Sequence, residues 1–177
     1  MVVLENVEHA KGRGAEIYAE IAGWGESNNI NSSYERLEEN GKGVQIAIEK
    51  AMEDAGICAD ELDLVIPHGT GIYEDDKAEC KAIESVLGDK ANVVPVWPTK
   101  SMLSDTGAAS GAIDVVAGIC AMQHGKIPAA KNFDNRAEYC NLNIVTDEIE
   151  KQIRYVLCCS YTYGGQTAAV VLRNLNV

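Results

Sequence analysis

The apolar spacing of this chain switches repeatedly between short unbroken runs and helical periodicity, and few folds tolerate that pattern. Val44, Ala47, Ile48, Ala51, Met52 and Ala55 fall on one face of an amphipathic helix, and Gly56 follows as its stop. Leu62 to Pro67 is a compact apolar run of strand length. Ala78, Ala82, Ile83, Val86 and Leu87 return to helical spacing and end at Gly88. Val93 to Trp97 reads as a strand. Ala108 to Met122 is almost wholly small or apolar, which predicts a helix buried on all sides. Tyr155 to Cys159 and Thr167 to Leu172 read as final strands, joined through Tyr163-Gly164-Gly165. Such alternation predicts an α/β fold with a mixed, largely buried sheet flanked by helices.

Nearer the start, Val2 to Leu4 reads as a short strand and Glu5 to Arg13 as a polar helix ended by Gly14. Ala15 to Trp24 alternates Ile17, Ala19 and Ile21 as a strand would. Ser27 to Asn40 is polar and Asn-rich, a loop. A strand at residue 2 has no earlier structure to feed it, so the chain opens as if in mid-domain. The 177 residues suffice for one domain with a core, 1–177. A formal charge of −12 repels phosphate backbones and anionic lipid, which makes nucleic acid and membrane poor partners. No apolar run approaches the roughly 18 residues of a membrane span. The opening residues lack the pattern of a signal peptide. The six cysteines form no CxxC and no regular framework, so they read as reduced thiols of a cytoplasmic protein that binds no metal. Neighbouring Cys158 and Cys159 would face opposite sides of a strand.

Several segments carry groups with chemistry. His68 leaves a buried strand beside Gly69, Thr70 and Gly71, where α/β folds place sites, and Asp76 and Glu79 follow. Taken alone, a loop histidine satisfied by backbone groups is the more economical reading. Asp105 precedes a helix, where its carboxylate can cap free N–H groups. Gly107, Gly111 and Gly118 recur along that helix and permit close approach of another backbone. Asp114 is the lone charge in a long apolar helix and needs a partner, with Lys100 the candidate; a structural ion pair accounts for both equally well. Between the last strands, Tyr161, Tyr163 and Gly164 could wall a pocket or simply make a hairpin.

In order and spacing, these segments together resemble the β-ketoacyl synthases of fatty-acid and polyketide synthesis, members of the thiolase fold. His68-Gly69-Thr70-Gly71 with Asp76 and Glu79 is similar to the family's HGT segment and downstream D-x-x-E. Thr99 to Gly111 is similar to T-K-S-x-x-G-H-x-x-G-A-x-G except at Ser104, Asp105 and Ala108. Asp114 matches an acidic residue in the following helix. Asn132-Phe133-Asp134 resembles N-x-D after a proline, here Pro128, and Cys159 to Thr167 loosely matches N-S-F-G-F-G-G-T-N. Val2 to Gly25 resembles the segment that closes the first half of the fold.

The resemblance implies the C-terminal half of a thiolase-like fold with a five-stranded mixed sheet. It places His68 and Lys100 in the catalytic set, with Asp105 where the second histidine belongs. Thr70, Ile72, Tyr161, Tyr163 and Gly164 fall at substrate-binding positions, and Asp76, Glu79 and Asp114 in support. Ile72 replaces a hydroxyl residue, and Thr162 and Tyr163 replace gate residues. The nucleophilic cysteine belongs to the other half, and none of the six cysteines here matches it. The substrate implied is an acyl-phosphopantetheine thioester, with no other cofactor. Because an ionised carboxylate only accepts hydrogen bonds, Asp105 predicts impaired decarboxylative condensation. The expected partners are a separately encoded N-terminal half, or an active ketosynthase subunit for which this chain acts like a chain-length factor. An acyl carrier protein and a second copy of the chain complete the expected partners. Basic groups such as Lys11, Arg13, Lys126 and Lys131 are scattered, so carrier docking would draw its positive charge mainly from the partner.

Overall fold

A computed structural model describes residues 2–28 and 36–177. After a short helix α1 (Val7–Gly12), capped by the Asn6 side chain on Glu8 N and His9 N, come strand β1 (Glu20–Asn28) and helix α2 (Lys42–Ala55). Strand β2 (Leu64–Ile66), helix α3 (Tyr73–Leu87) and strand β3 (Pro95–Val96) follow, then helices α4 (Lys100–Leu103) and α5 (Ser110–His124). The chain closes with short strands β4 (Lys126–Ile127), β5 (Asn143–Ile144) and β6 (Ile149–Glu150), then long strands β7 (Tyr155–Tyr161) and β8 (Gln166–Arg173).

Six strands form the main sheet in the order β1-β8-β7-β2-β3-β5. The pairs β1–β8 and β8–β7 are antiparallel, and the others are parallel. The mixed α/β architecture agrees with the sequence. The strand number is six rather than five, because the two residues of β5 add an edge beside β3 that no apolar run announces. A separate ribbon pairs β4 with β6.

Period-2 alternation on β7 divides the core. Leu157, Cys159 and Tyr161 pack with Val44, Ala47 and Ile48 of α2 and Ala78 and Ile83 of α3. Val156 and Cys158 face the other way, with Ala121 and Met122 of α5. The two adjacent cysteines thus lie in different clusters, as the sequence indicated.

The glycine stops hold: Gly56 caps α2 in a left-handed conformation at φ 66, and Gly88 follows α3 at φ 53. Other expectations need correction. Val2 to Leu4 is exposed and forms no strand, so no sheet element opens the described chain. Strand β1 begins at Glu20, later than the alternation suggested, and continues into the expected loop as far as Asn28; the remainder of that loop, 29–35, lies outside the described residues. Its register is fixed by close contact: a Cβ on Gly23 would strike Ala51 and Ala55 of α2, and one on Gly25 would strike Ala47. Trp24 between them projects outward, 58% exposed.

Helix α5 is not buried on all sides either. Asp114, Gly118, Ala121 and Met122 face the sheet, while Ala112, Val116 and Cys120 form an exposed stripe at i, i+4 and i+8. Gly118 allows the close approach to Val156, Leu172 and Ile66, and Gly111 sits against Ser160. Gly107 is not part of that contact. It lies in a 3-10 turn before α5, with open space around it and φ 62.

Candidate functional site

At the C-terminal end of β2 the chain turns through Pro67, His68 and Gly69. This turn is held from below by α3. The buried Glu79 carboxylate accepts the N–H groups of His68 at 2.7 Å and Gly69 at 2.8 Å. Burial pushes Glu79 up to about 7, against the lowering effect of those same N–H groups. One turn earlier on the helix, Asp76 accepts from Gly71 N at 3.1 Å and from the Thr70 hydroxyl at 3.4 Å. Asp76 and Glu79 therefore shape the loop from outside the cavity.

The His68 side chain is buried beside Tyr161, with ring centroids 4.3 Å apart in edge geometry. Burial, then the Lys100 charge, lowers its pKa to about 4, so the imidazole is neutral at neutral pH. Its Nδ1 is buried with no hydrogen-bond partner among the described residues. Buried polar atoms are normally paired, and this one is an exception.

Lys100, at the start of α4, is buried against Asp114 of α5, with Nζ to Oδ2 at 2.7 Å. The Thr99 hydroxyl donates to the other carboxylate oxygen. The ion pair suggested by the sequence is present, and it anchors α4 to α5 beneath the cavity rather than in its wall. Asp105 sits between these helices. Its Oδ1 accepts from the Ser110 hydroxyl at 2.6 Å and from Gly107 N at 3.0 Å. The Ser110 hydroxyl first, and then the Gly107 N–H, hold its carboxyl below the usual range. The backbone N–H it accepts is that of the first residue of the 3-10 turn Gly107–Ala109, not one of α5. Just before it, Ser104 adopts φ 60, ψ 169, a region that glycine occupies without strain.

These parts surround a cavity of about 490 Å³. Of the residues singled out from the sequence, His68, Thr70, Ile72, Asp105, Tyr161 and Tyr163 line it. Lys100, Asp76, Glu79, Asp114 and Gly164 do not; Gly164 lies in the β7–β8 turn, where its carbonyl accepts from Asn28 Nδ2 at 3.2 Å. The wall also includes Ser160, the serine of the Cys159–Thr167 motif, and Arg36, Leu37 and Asp75, which carry no motif in the sequence. Asp75 accepts Leu37 N at 3.2 Å and ties the segment before α2 to α3. No cysteine is among the lining residues.

Residues 18–134 match the family described as the C-terminal domain of β-ketoacyl synthases. The chain belongs to the β-ketoacyl synthase family. It is 34% identical over 97% of its length to a protein from Streptomyces halstedii named putative polyketide beta-ketoacyl synthase 1. It is 33% identical over 99% of its length to 3-oxoacyl-[acyl-carrier-protein] synthase 2 of Vibrio cholerae. It spans only 41% and 43% of those two relatives. Among solved structures, the ishigamide ketosynthase/chain length factor superposes with a TM-score of 0.87 at 33% identity, covering 96% of this chain and 41% of that one. The AntDE:AntF complex, a type II polyketide acyl-carrier protein with its ketosynthase bound to the hexaketide, gives 0.90 at 30%, covering 97% and 42%. This ketosynthase domain is thus a C-terminal half with the fold of its relatives. Among its described residues, no helix is long and apolar enough to cross a membrane.

Proposed function

We propose that this ketosynthase domain supplies one half of an acyl-thioester site in fatty-acid or polyketide synthesis, and that an N-terminal ketosynthase half on a second polypeptide supplies the nucleophilic cysteine. The carrying observation is a cavity walled by His68, Thr70, Asp105 and Tyr161 with no cysteine in it. The exposed apolar stripe on α5 supports the same reading, because a helix apolar on both faces needs cover on both.

In this reading, neutral His68 gives a hydrogen bond to the thioester carbonyl oxygen as negative charge develops there. Lys100 positions the 99–105 segment through Asp114. Thr70, Ile72, Tyr163 and Gly164 contact the phosphopantetheine arm or the gate. Asp105 stands where a second donor belongs, and ionised it can only accept. Decarboxylative condensation is therefore weakened, and acyl transfer remains open to the assembled site.

A chain-length-factor-like role is a second reading. In it, this subunit shapes the acyl pocket beside an active ketosynthase, and the carboxylate at 105 favours it. An acyl carrier protein would dock mainly on the partner, since Arg13 is already paired with Glu5, Lys11 with Glu8, and Lys126 with Glu148 and Glu150. Both readings place the assembly in the cytoplasm.

The test is co-expression of this chain with the reading frame immediately upstream, followed by size-exclusion chromatography. A stable heteromer is expected. A monomer that stays soluble alone and binds no hydrophobic dye would overturn the split-site proposal.

A further inference from the structure

Outside the cavity, α3 meets the segment before β5 at a second cluster of reactive groups. Cys80 and Glu84 lie one turn apart on α3, and Cys140 ends the Ala137–Cys140 turn, where its N–H bonds to Ala137 O at 3.0 Å. Two thiol sulfurs and one carboxylate oxygen all lie within 4.8 Å of one another. We propose that Cys80, Glu84 and Cys140 form a binding site for a thiophilic divalent cation, with zinc(II) the natural occupant.

A tetrahedral zinc ion with bonds of about 2.3 Å to sulfur and about 2.0–2.2 Å to oxygen needs its ligand atoms roughly 3.5–3.8 Å apart. The Cys80 Sγ to Glu84 Oε1 distance is 3.4 Å. Closing the set takes only small side-chain rotations. Thiolates select zinc over magnesium or calcium, which take oxygen ligands. The carboxylate is already oriented, since Asn141 N donates at 2.6 Å to Glu84 Oε1, the oxygen that faces Cys80 and keeps a second lone pair for the ion. Such support from outside the ligand shell is what metal sites use to fix their ligands. Beside the cluster lies a cavity of about 220 Å³ whose wall includes Cys80, Cys140 and Arg136. It has room for a water as fourth ligand, and the guanidinium offsets the net negative charge of two thiolates and a carboxylate around one dication.

Binding releases the two thiol protons to solvent and forms two zinc–sulfur bonds and one zinc–oxygen bond, with no change of oxidation state. The ion would tie the middle of α3 to residues 139–142. The same helix holds His68 and Gly69 through Glu79 one residue before Cys80, so the clamp would stiffen the support of the first cavity.

The probe is cobalt(II), titrated into the full chain purified with reductant and then freed of it. One equivalent is expected to give a thiolate-to-cobalt charge-transfer band and the intense visible bands of a tetrahedral ion, both erased by zinc. Cys140→Ser should abolish the charge-transfer intensity or weaken affinity by more than the ~10–100-fold that loss of an outer-shell partner costs. Cys58→Ser, at an exposed thiol elsewhere, should change nothing. Zinc should also shield Cys140 of the wild-type chain from alkylation, a readout that needs no variant to fold. Three results would each overturn the site: only weak octahedral bands, a charge-transfer band whose intensity and affinity are unchanged by Cys140→Ser, or a Cys80–Cys140 disulfide forming equally fast under excess zinc.

Discussion

At Asp105 the carboxylate accepts from a hydroxyl and a backbone N–H, and across the cavity wall His68 is buried and neutral. The two groups are opposite in kind, a donor ring and an acceptor-only anion. Titration of His68 followed by NMR should give a midpoint of about 4. A midpoint between 6 and 7 would mean that the ring is not desolvated as the structure shows. Because the folded pKa is depressed, stability from this group is fully present above its unfolded value of about 6.5 and is lost as pH falls toward 4. Ser104 makes a separate point. The family has glycine there, and the φ of 60 with ψ of 169 explains why. Relieving such backbone strain should stabilise the fold by about 1–3 kcal/mol. Chemical denaturation of Ser104→Gly checks this, and an unchanged or lower midpoint would show that the strain is absent.

Helices α2 and α3 were legible because apolar periodicity and a following glycine agree, and local and global preferences coincide there. Strand β1 was misplaced because its inward positions include Gly23 and Gly25. Strand propensity argues against glycine, and only the contact with α2 reveals why it is needed. Gly25→Ala should therefore destabilise the chain by ~1–3 kcal/mol or more, as overpacking does. A thermal shift near zero would mean that β1 does not rest on α2 as described. The two-residue strand β5 is too short for any periodic signal, whereas β3 lies inside the apolar run Val93 to Trp97 that reads as a strand. At the site, the motifs pointed to His68 and Asp105, whereas Arg36 and Asp75 reach the same cavity from positions outside any motif. Cys80 and Cys140 escaped notice for a related reason. They are remote in sequence, and only the packing of α3 against the 137–142 segment joins them.

For the whole molecule, the apolar stripe of α5, the cavity without a cysteine and the coverage of about two fifths of its relatives support the proposed half-site, completed by a second ketosynthase half. Its central feature is an anion where charge should be stabilised. Loss of one donor of this kind costs ~10²–10³ in rate in well-studied hydrolases. The most direct measurement is malonyl-thioester decarboxylation by the assembled complex, comparing the wild-type chain with Asp105→His. Wild-type turnover should be slower than that of the histidine variant by roughly 10²-fold or more. Equal turnover at ordinary ketosynthase rates, with no gain from the histidine, would contradict the account.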